Sequence, residues 1–198
     1  ASASPRRQEL LRSAGIEFLV EPADLPEDPH PGEAPIEFAR RMARAKALAV
    51  WQGSPQPDRV VLGADTIVVA GQETDGTGQE MDQEILGKPR DPADAARMLR
   101  RLSGRTHEVI TGLEVIRLPD RAVRSEQGVT RVTFALLSDA EIESYVASGE
   151  PFDKAGGYAI QGRGGRYISR VEGCYFNVVG LPLALLYRVL RDLGWTPD

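Results

Sequence analysis

The chain has 198 residues, a formal net charge of −5 and a single cysteine. That charge does not supply the broad basic field with which proteins bind nucleic acid, and one cysteine excludes an internal disulfide framework or a cysteine-based zinc site. The apolar share of 41% is typical of soluble globular proteins, and no apolar run reaches the roughly 20 residues of a membrane span. We therefore expect a soluble, cytoplasmic protein without nucleic-acid or membrane partners.

The first predicted helix begins at Pro5 and carries two arginines in its first turn. Ser4 is a good N-cap, and Gly15 predicts the end of the helix. Arg6 and Arg7 lie where the unpaired backbone N–H groups already carry partial positive charge, so two guanidinium groups are unfavourable there without an anion. This arrangement indicates a phosphate site at the start of the helix.

A second helix is predicted from about Pro35 to Trp51, after a proline-rich and acidic segment that is typical of a surface loop. Lys46 lies beside Ala43 and Ala47, close to the apolar face of this helix. A lysine in that position either extends its ammonium group to the solvent or meets an anion. The residues alone favour the first alternative.

The next stretch, RVVLGADTIVVAG, predicts a strand that is buried on both faces and interrupted by one acid. An ionised carboxylate at Asp65 is unfavourable in such a strand unless a cation or a metal accompanies it. At a strand end, it would face the usual ligand crevice of an α/β fold. The alternative is an aspartate that simply terminates the strand in a turn.

A polar, glycine-containing stretch follows, and then Lys88, whose backbone is held extended by the following proline. Lys88 is either a phosphate ligand or a solvated loop lysine, and the residue alone favours the solvated loop. A well-marked helix comes next, with Asp91 as its N-cap and Gly104 as its stop.

The second half of the chain alternates between strand and helix signals. Residues 107–137 predict two or three antiparallel strands with a turn at 119–120. Ser138 and Glu141 form a capping box for a short helix, and Pro182 starts a last amphipathic helix. Together, these elements predict a mixed α/β fold.

The segment DKAGGYAIQGRGGRYISRVEG combines closely spaced glycines with polar side chains. Glycines allow a backbone to approach a ligand and to present N–H groups to phosphate, and the Gln161 amide can both donate to and accept from the edge of a nucleobase. The spacing matches neither a P-loop nor a dinucleotide fingerprint. The alternative is a glycine-rich hairpin that merely carries polar side chains. For His107 and Cys174, the residues favour structural roles.

Five blocks, in order along nearly the whole chain, together resemble the Maf family of nucleoside triphosphate pyrophosphatases. They are ASASPRRQELL, GADTIVV, LGKPRDPADAARMLRRLSGRTHEVITG, FDKAGGYAIQG and VVGLPL. The resemblance implies one α/β domain over residues 1–198, with a mixed central sheet flanked by helices and two lobes around a deep nucleotide cleft. It also implies a homodimer, a divalent cation (Mg²⁺ or Mn²⁺) with unassigned ligands, and a housecleaning role in nucleotide pools.

The resemblance also implies roles for individual residues. Asp65 matches the proton acceptor, and Arg6, Thr66 and Gln161 match positions associated with base specificity. The remaining matches are polar cleft residues: Ser4, Arg7, Glu33, Lys46 and Lys88. On this reading, the arginines and lysines hold the triphosphate while Asp65, with a metal and Glu33, activates water for attack at the α-phosphorus.

Thr66 and Gln161 further resemble the branch that acts on dTTP and UTP. The alternatives are a 7-methyl-GTP pyrophosphatase, a nucleotide-binding regulator of cell division without significant turnover, or a plain α/β domain. The stretch from Glu73 to Glu84 is longer than is usual in the family, and a family strand is expected before Ala1.

Overall fold

The computed structural model describes residues 2–53, 59–71, 83–118 and 120–195. The chain divides into two compact units. The first comprises Ala1–Thr66, Thr111–Gly128 and Phe176–Asp198, and the second comprises Ile67–Ile110 and Val129–Tyr175. Most of the long polar stretch predicted at residues 73–84 lies outside the described residues.

Six α-helices occur in the described part of the chain, and all except the short α5, which was not predicted, begin close to the predicted starts. They are α1 (Pro5–Ser13), α2 (Pro35–Gly53), α3 (Pro92–Leu102), α4 (Asp139–Ala147), α5 (Tyr175–Val179) and α6 (Leu183–Asp192). The Ser4 hydroxyl accepts a hydrogen bond from the Arg7 amide at 3.5 Å, and the capping box of Ser138 and Glu141 is formed. None of these helices is long and apolar enough to cross a membrane.

Five strands form one sheet in the order β2-β1-β3-β4-β5. They are β1 (Val60–Ala70), β2 (Glu84–Leu86), β3 (Thr106–Arg117), β4 (Ala122–Phe134) and β5 (Ile168–Glu172). The α/β class with helices beside a sheet is confirmed, but the sheet is antiparallel, where a mixed sheet was predicted. Residues 118–121, which join β3 to β4, are too few for the crossover of a dozen or more residues that parallel strands require.

In the first unit, α2 packs directly against the backbones of β1 and β3. A β-carbon built on Gly63 would lie 2.1 Å from the carbonyl oxygen of Ala43, and one on Gly112 would lie 2.3 Å from that of Ala39. Neither distance is compatible with a side chain. The two glycines therefore permit the close approach of the helix, and the facing alanines of α2 are fully buried.

In the second unit, α3 and α4 pack together, and the buried Leu99 and Leu102 belong to its core. An aromatic cluster lies in the same unit, where His107, Phe134 and Tyr158 make edge-to-face contacts with ring centroids 4.8–5.4 Å apart. The core of each unit thus consists of aliphatic and aromatic side chains together with a few buried polar groups.

Candidate active site

A buried cluster of charged side chains surrounds Asp65 in the first unit. Lys46 reaches from α2 and donates to Asp65 Oδ1 at 2.5 Å and to Glu27 Oε1 at 2.5 Å. Lys46 and Asp65 are each only 7% exposed, whereas Glu27 lies on an exposed loop. The lysine thus supplies the counter-charge that a buried carboxylate requires.

The burial of Lys46 follows from the packing of α2. Its neighbours Ala43 and Ala47 are fully buried against the sheet, so the side chain starts inside the unit and reaches Asp65 on β1. Of the two alternatives that the sequence left open, the structure shows the lysine meeting an anion.

A hydrogen-bonded chain begins at the residue after Asp65. Arg7 Nη2 donates to Thr66 Oγ1 at 2.8 Å, and Thr66 Oγ1 lies 2.9 Å from Thr111 Oγ1. Thr111 in turn donates to the carbonyl oxygen of Asn177 at 3.2 Å. Because the guanidinium can only donate, the Thr66 hydroxyl accepts from Arg7, and its own proton has two acceptors, Thr111 Oγ1 at 2.9 Å and the Gly180 carbonyl at 3.4 Å.

Two further contacts hold Arg7 in place: its Nε donates to the Gly180 carbonyl at 2.7 Å and its Nη1 to Ser2 Oγ at 2.9 Å. Burial lowers the pKa of Arg7, and the carboxylates of Asp65 and Glu27 oppose that shift. These influences place Arg7 in the same electrostatic neighbourhood as the charged cluster.

Two more residues predicted for the site lie at the start of α1. Ser4 caps the helix, and the half-buried Arg6 occupies its first turn. The positive charge of Arg6 lowers the pKa of Arg7, which shows that the two guanidinium groups are close to each other. Positive charge therefore accumulates at this helix start, as the sequence predicts.

Glu33 makes a different set of contacts from those of the charged cluster. Its carboxylate accepts from Arg41 Nε at 2.6 Å and Nη2 at 2.8 Å and from the His30 amide at 2.9 Å. The Arg41 hydrogen bonds lower the pKa of Glu33 to about 2. The acid that joins Asp65 at Lys46 is Glu27.

Lys88 and Gln161 belong to the second unit, and both side chains are exposed. The loop that carries Lys88 contacts the glycine-rich segment, because the Gly156 amide donates to the Gly87 carbonyl at 3.0 Å. The structure thus brings the Lys88 loop to the segment that leads to Gln161.

Glu27, Thr111 and Glu150 take part in polar networks that the sequence analysis did not identify. Glu27 lies in a segment whose many acids and prolines are typical of a solvated loop, and Thr111 is one polar residue in a β-branched strand. Glu150 comes directly after a helix stop and precedes the glycine-rich segment by only a few residues. Only the last of these positions carries a local signal, namely an acid close to a run of glycines.

His107 is buried and uncharged, which supports the structural role predicted for it. Its Nε2 lies 2.8 Å from the hydroxyl of Tyr158, and burial lowers the pKa of His107 to about 3. Cys174 is anchored through its backbone, whose amide donates to Thr130 Oγ1 at 3.1 Å.

A cavity of about 1030 Å³ also lies in the first unit, beside α1. Its lining is largely apolar and includes Phe18, Leu62 and Ala64. Ser2 and Arg7 also line this cavity. Because Arg7 donates to Thr66 Oγ1, the cavity adjoins the hydrogen-bonded chain that begins at Thr66.

The acids of the cluster suit a hard divalent cation only in part. In the described part of the chain, no group of three or more histidine, cysteine, aspartate or glutamate side chains is placed to hold a metal. Two carboxylates, from Asp65 and Glu27, nevertheless converge on one point, the ammonium group of Lys46. Mg²⁺ commonly takes one or two carboxylates together with substrate phosphates, and this donor set fits that pattern.

Comparison with known proteins gives one family and a consistent set of relatives. The family model described as "Maf-like protein" matches residues 1–193. A protein named dTTP/UTP pyrophosphatase from Koribacter versatilis is 52% identical over 98% of this chain and 93% of its own length. Its namesakes from Geobacter sulfurreducens and Anaeromyxobacter dehalogenans are 51% and 50% identical, each over 98% of this chain and over 95% and 93% of their own lengths.

Proposed function

The chain belongs to the Maf family, and we propose that it hydrolyses dTTP and UTP to the nucleoside monophosphate and pyrophosphate. The observation that carries the proposal is the buried carboxylate of Asp65, held by Lys46 next to the hydrogen-bonded Thr66 and Arg7. An acid, a lysine and an arginine at one place suit attack by water on a polyphosphate, where positioning and charge contribute most of the catalysis.

Asp65 is the proton acceptor in this mechanism. A water molecule attacks the α-phosphorus, a new P–O bond forms, the bond to the oxygen that bridges the α- and β-phosphorus breaks, and pyrophosphate leaves. The proton of the water passes to the Asp65 carboxylate. Lys46 supports this step by holding Asp65 Oδ1 at 2.5 Å, which fixes the carboxylate and leaves Oδ2 to face the water.

Positive charge at the start of α1 binds the phosphates. Three of the five N–H donors of Arg7 contact described protein atoms, those of Gly180, Ser2 and Thr66. The other two can donate to phosphate oxygens, and the positive charge of Arg6 adds to the attraction. We expect Lys88 to contribute further positive charge to phosphate binding.

A divalent cation fits the Asp65 and Glu27 carboxylates, with phosphate oxygens of the substrate as additional ligands. Bound there, the cation would neutralise charge that develops on the phosphates. Mg²⁺ and Mn²⁺ are the two candidates.

Thr66 and Gln161 contribute the preference for pyrimidines. Uracil and thymine present carbonyl acceptors on both sides of an N3–H donor, and a glutamine amide offers both complementary groups. Because Thr111 and the Gly180 carbonyl are both acceptors for the Thr66 proton, this hydroxyl offers a substrate only a lone pair. A lone pair matches the N3–H group of uracil or thymine and not the unprotonated N3 of cytosine.

Three biological properties complete the proposal. We expect the protein to act in the cytoplasm as a homodimer and to remove unwanted nucleotides from the pool. Membership of the Maf family supports the role in removing nucleotides. Sedimentation of the purified chain tests whether it is a dimer.

The test is pyrophosphate release from dTTP, UTP, CTP, GTP and 7-methyl-GTP, measured with Mg²⁺, with Mn²⁺ and with a chelator. We expect turnover of dTTP and UTP, its loss on chelation, and a fall of about a thousandfold or more in Asp65→Asn. Asp192→Asn, an exposed change on α6, is the matched control and should retain activity. Near-normal turnover in Asp65→Asn would contradict the role of Asp65. Preference for 7-methyl-GTP, or binding of dTTP without hydrolysis, would instead favour the other two activities considered.

A further inference from the structure

Gln161 is an exposed side chain on a loop whose backbone is anchored on both sides. Before it, the Ala159 amide donates to the Tyr145 hydroxyl at 3.1 Å. After it, the amides of Arg163 and Gly164 donate to Glu150 at 3.0 and 3.1 Å. The position of the Gln161 side chain therefore depends on Tyr145 and Glu150, which hold the backbone on either side of it.

Glu150 accepts three hydrogen bonds, which occupy both of its carboxylate oxygens. Besides the two amides, the Tyr145 hydroxyl donates to its Oε1 at 2.7 Å. Burial raises the pKa of Glu150, but the bonds from Tyr145 and from the two amides outweigh burial and leave the pKa below its ordinary value. The carboxylate is thus held ionised by the loop that it anchors.

Tyr145 links the two anchors. It is fully buried, and because the Ala159 amide can only donate, the tyrosine hydroxyl must accept from this amide and direct its own proton to Glu150. One continuous network therefore connects Ala159, Tyr145, Glu150 and Gly164 around Gln161.

The glycines of the loop are required by this network. A β-carbon on Gly162 would lie 2.9 Å from both carboxylate oxygens of Glu150, and one on Gly164 would lie 2.6 Å from the Tyr145 hydroxyl. Either substituent would displace the group that anchors the loop. The glycine run thus serves the close approach of Glu150 and Tyr145.

We propose that Glu150, through Tyr145 and the loop amides, is a positioning residue that sets where Gln161 meets the nucleobase. The inference rests on the proposed function, since it assigns base recognition to Gln161. Glu150 does not touch the substrate. Its effect is on nucleotide binding and base preference, with little effect on the chemical step at Asp65.

The experiment compares steady-state kinetics of wild type, Glu150→Gln, Gln161→Ala and the double variant with dTTP, UTP and CTP. A glutamine at position 150 turns an NH₂ group towards a donor of the network, so the anchor is lost with little change in size. We expect the KM for dTTP to rise about tenfold, kcat to change less than threefold, and the preference for dTTP over CTP to fall about tenfold. In the Gln161→Ala background, Glu150→Gln should leave this preference unchanged.

Glu143→Gln, an exposed change on α4 that removes the same charge, is the matched control and should behave as wild type. If Glu150→Gln does not fold, Tyr145→Phe decides the question, because it removes the hydroxyl that joins the two anchors. Unchanged KM and preference in the folded variant, or an equal loss of preference with and without Gln161, would overturn the inference.

The same assay separates the two proposals. Absence of dTTP and UTP turnover in the wild type would contradict the proposed function itself. Normal wild-type turnover with an unaltered preference in Glu150→Gln would contradict only the role of Glu150.

Discussion

Asp65, which is buried in the first unit, and Glu150, which is half-buried in the second, are both hydrogen-bonded carboxylates, but their partners differ. Asp65 is held by the ammonium group of Lys46, which also contacts Glu27. Glu150 is held by two backbone amides and a fully buried tyrosine. A lysine side chain can rearrange when a substrate arrives, whereas backbone amides cannot do so without moving the loop.

This difference distinguishes the acid that we propose as the proton acceptor from the acid that we propose as a positioning residue. The first unit balances charge with charge and leaves the carboxylate able to exchange partners. The second unit holds Glu150 with three hydrogen bonds from its own chain, and burial lowers the pKa of His107 to about 3. The three predictions below test this contrast.

The largest effect is expected for Lys46→Met, which removes the counter-charge of Asp65. Breaking a buried ion pair on one side leaves an uncompensated carboxylate, so the free energy of unfolding should fall by about 3 kcal/mol and turnover of dTTP by about a hundredfold. Urea unfolding and pyrophosphate release measure the two. Arg44→Met, exposed on the same helix, should alter neither. Full activity in Lys46→Met would mean that Asp65 does not need its partner.

A second effect concerns His107 in acid. Its pKa is about 3 in the folded protein, against 6.5 for the unperturbed side chain, so the unfolded chain binds the extra proton between these values. The group therefore stabilises the fold above pH 6.5, and this contribution is lost by up to about 1.4 kcal/mol for each pH unit as the pH falls.

His107→Gln removes this contribution to the pH dependence, and urea unfolding between pH 7 and 4 measures the difference from wild type. His30→Gln, exposed in its loop, is the control and should follow the wild-type curve. Parallel curves for wild type and His107→Gln over that range would show that His107 binds a proton in the folded protein.

The smallest effect is expected for Thr111→Val, which keeps the shape of the side chain and removes the hydroxyl that orients Thr66. The hydrogen bonds of the Thr111 hydroxyl to Thr66 and to the Asn177 carbonyl are lost. The free energy of unfolding should therefore fall by about 1 kcal/mol, and the KM for dTTP should rise about threefold. Thr133→Val breaks a hydroxyl pair of the same length with Thr106 in the second unit and should leave KM unchanged. Equal KM values for dTTP in the two variants would show that the Thr111 hydroxyl does not contribute to substrate binding.

The sequence predicted best what short-range chemistry decides. The caps at Ser4, Asp91 and Ser138 and the helices that they begin are observed, because a cap and its helix are neighbours in the chain. The buried acid of β1 and the arginines of α1 were likewise recognised from their own surroundings. The structure brings Arg7 and Asp65 into one electrostatic neighbourhood.

The partners of these residues could not be predicted in the same way. Lys46 contacts Glu27 and Asp65 across 19 residues in each direction, and Thr66 contacts Thr111 across 45. Nothing in the local pattern around Glu27 distinguishes it from the other acids of its loop. Antiparallel strands were predicted over residues 107–137, but the antiparallel pairing of β1 with β2 was not, because apolar runs indicate burial on both faces and not the direction of the neighbouring strand.

The contact of α2 with Gly63 and Gly112 has a consequence for which substitutions the chain can tolerate. The short distance between α2 and the sheet is possible because Gly63 and Gly112 have no side chain. Lys46 contacts Asp65 only while α2 lies at this distance. A single methyl group at either glycine, well away from any reacting atom, would lift the helix and separate the charged pair. Attempts to retarget this protein to other nucleotides therefore have room at the exposed side chain of Gln161, but almost none at the glycines that follow it or beneath the helix that carries Lys46.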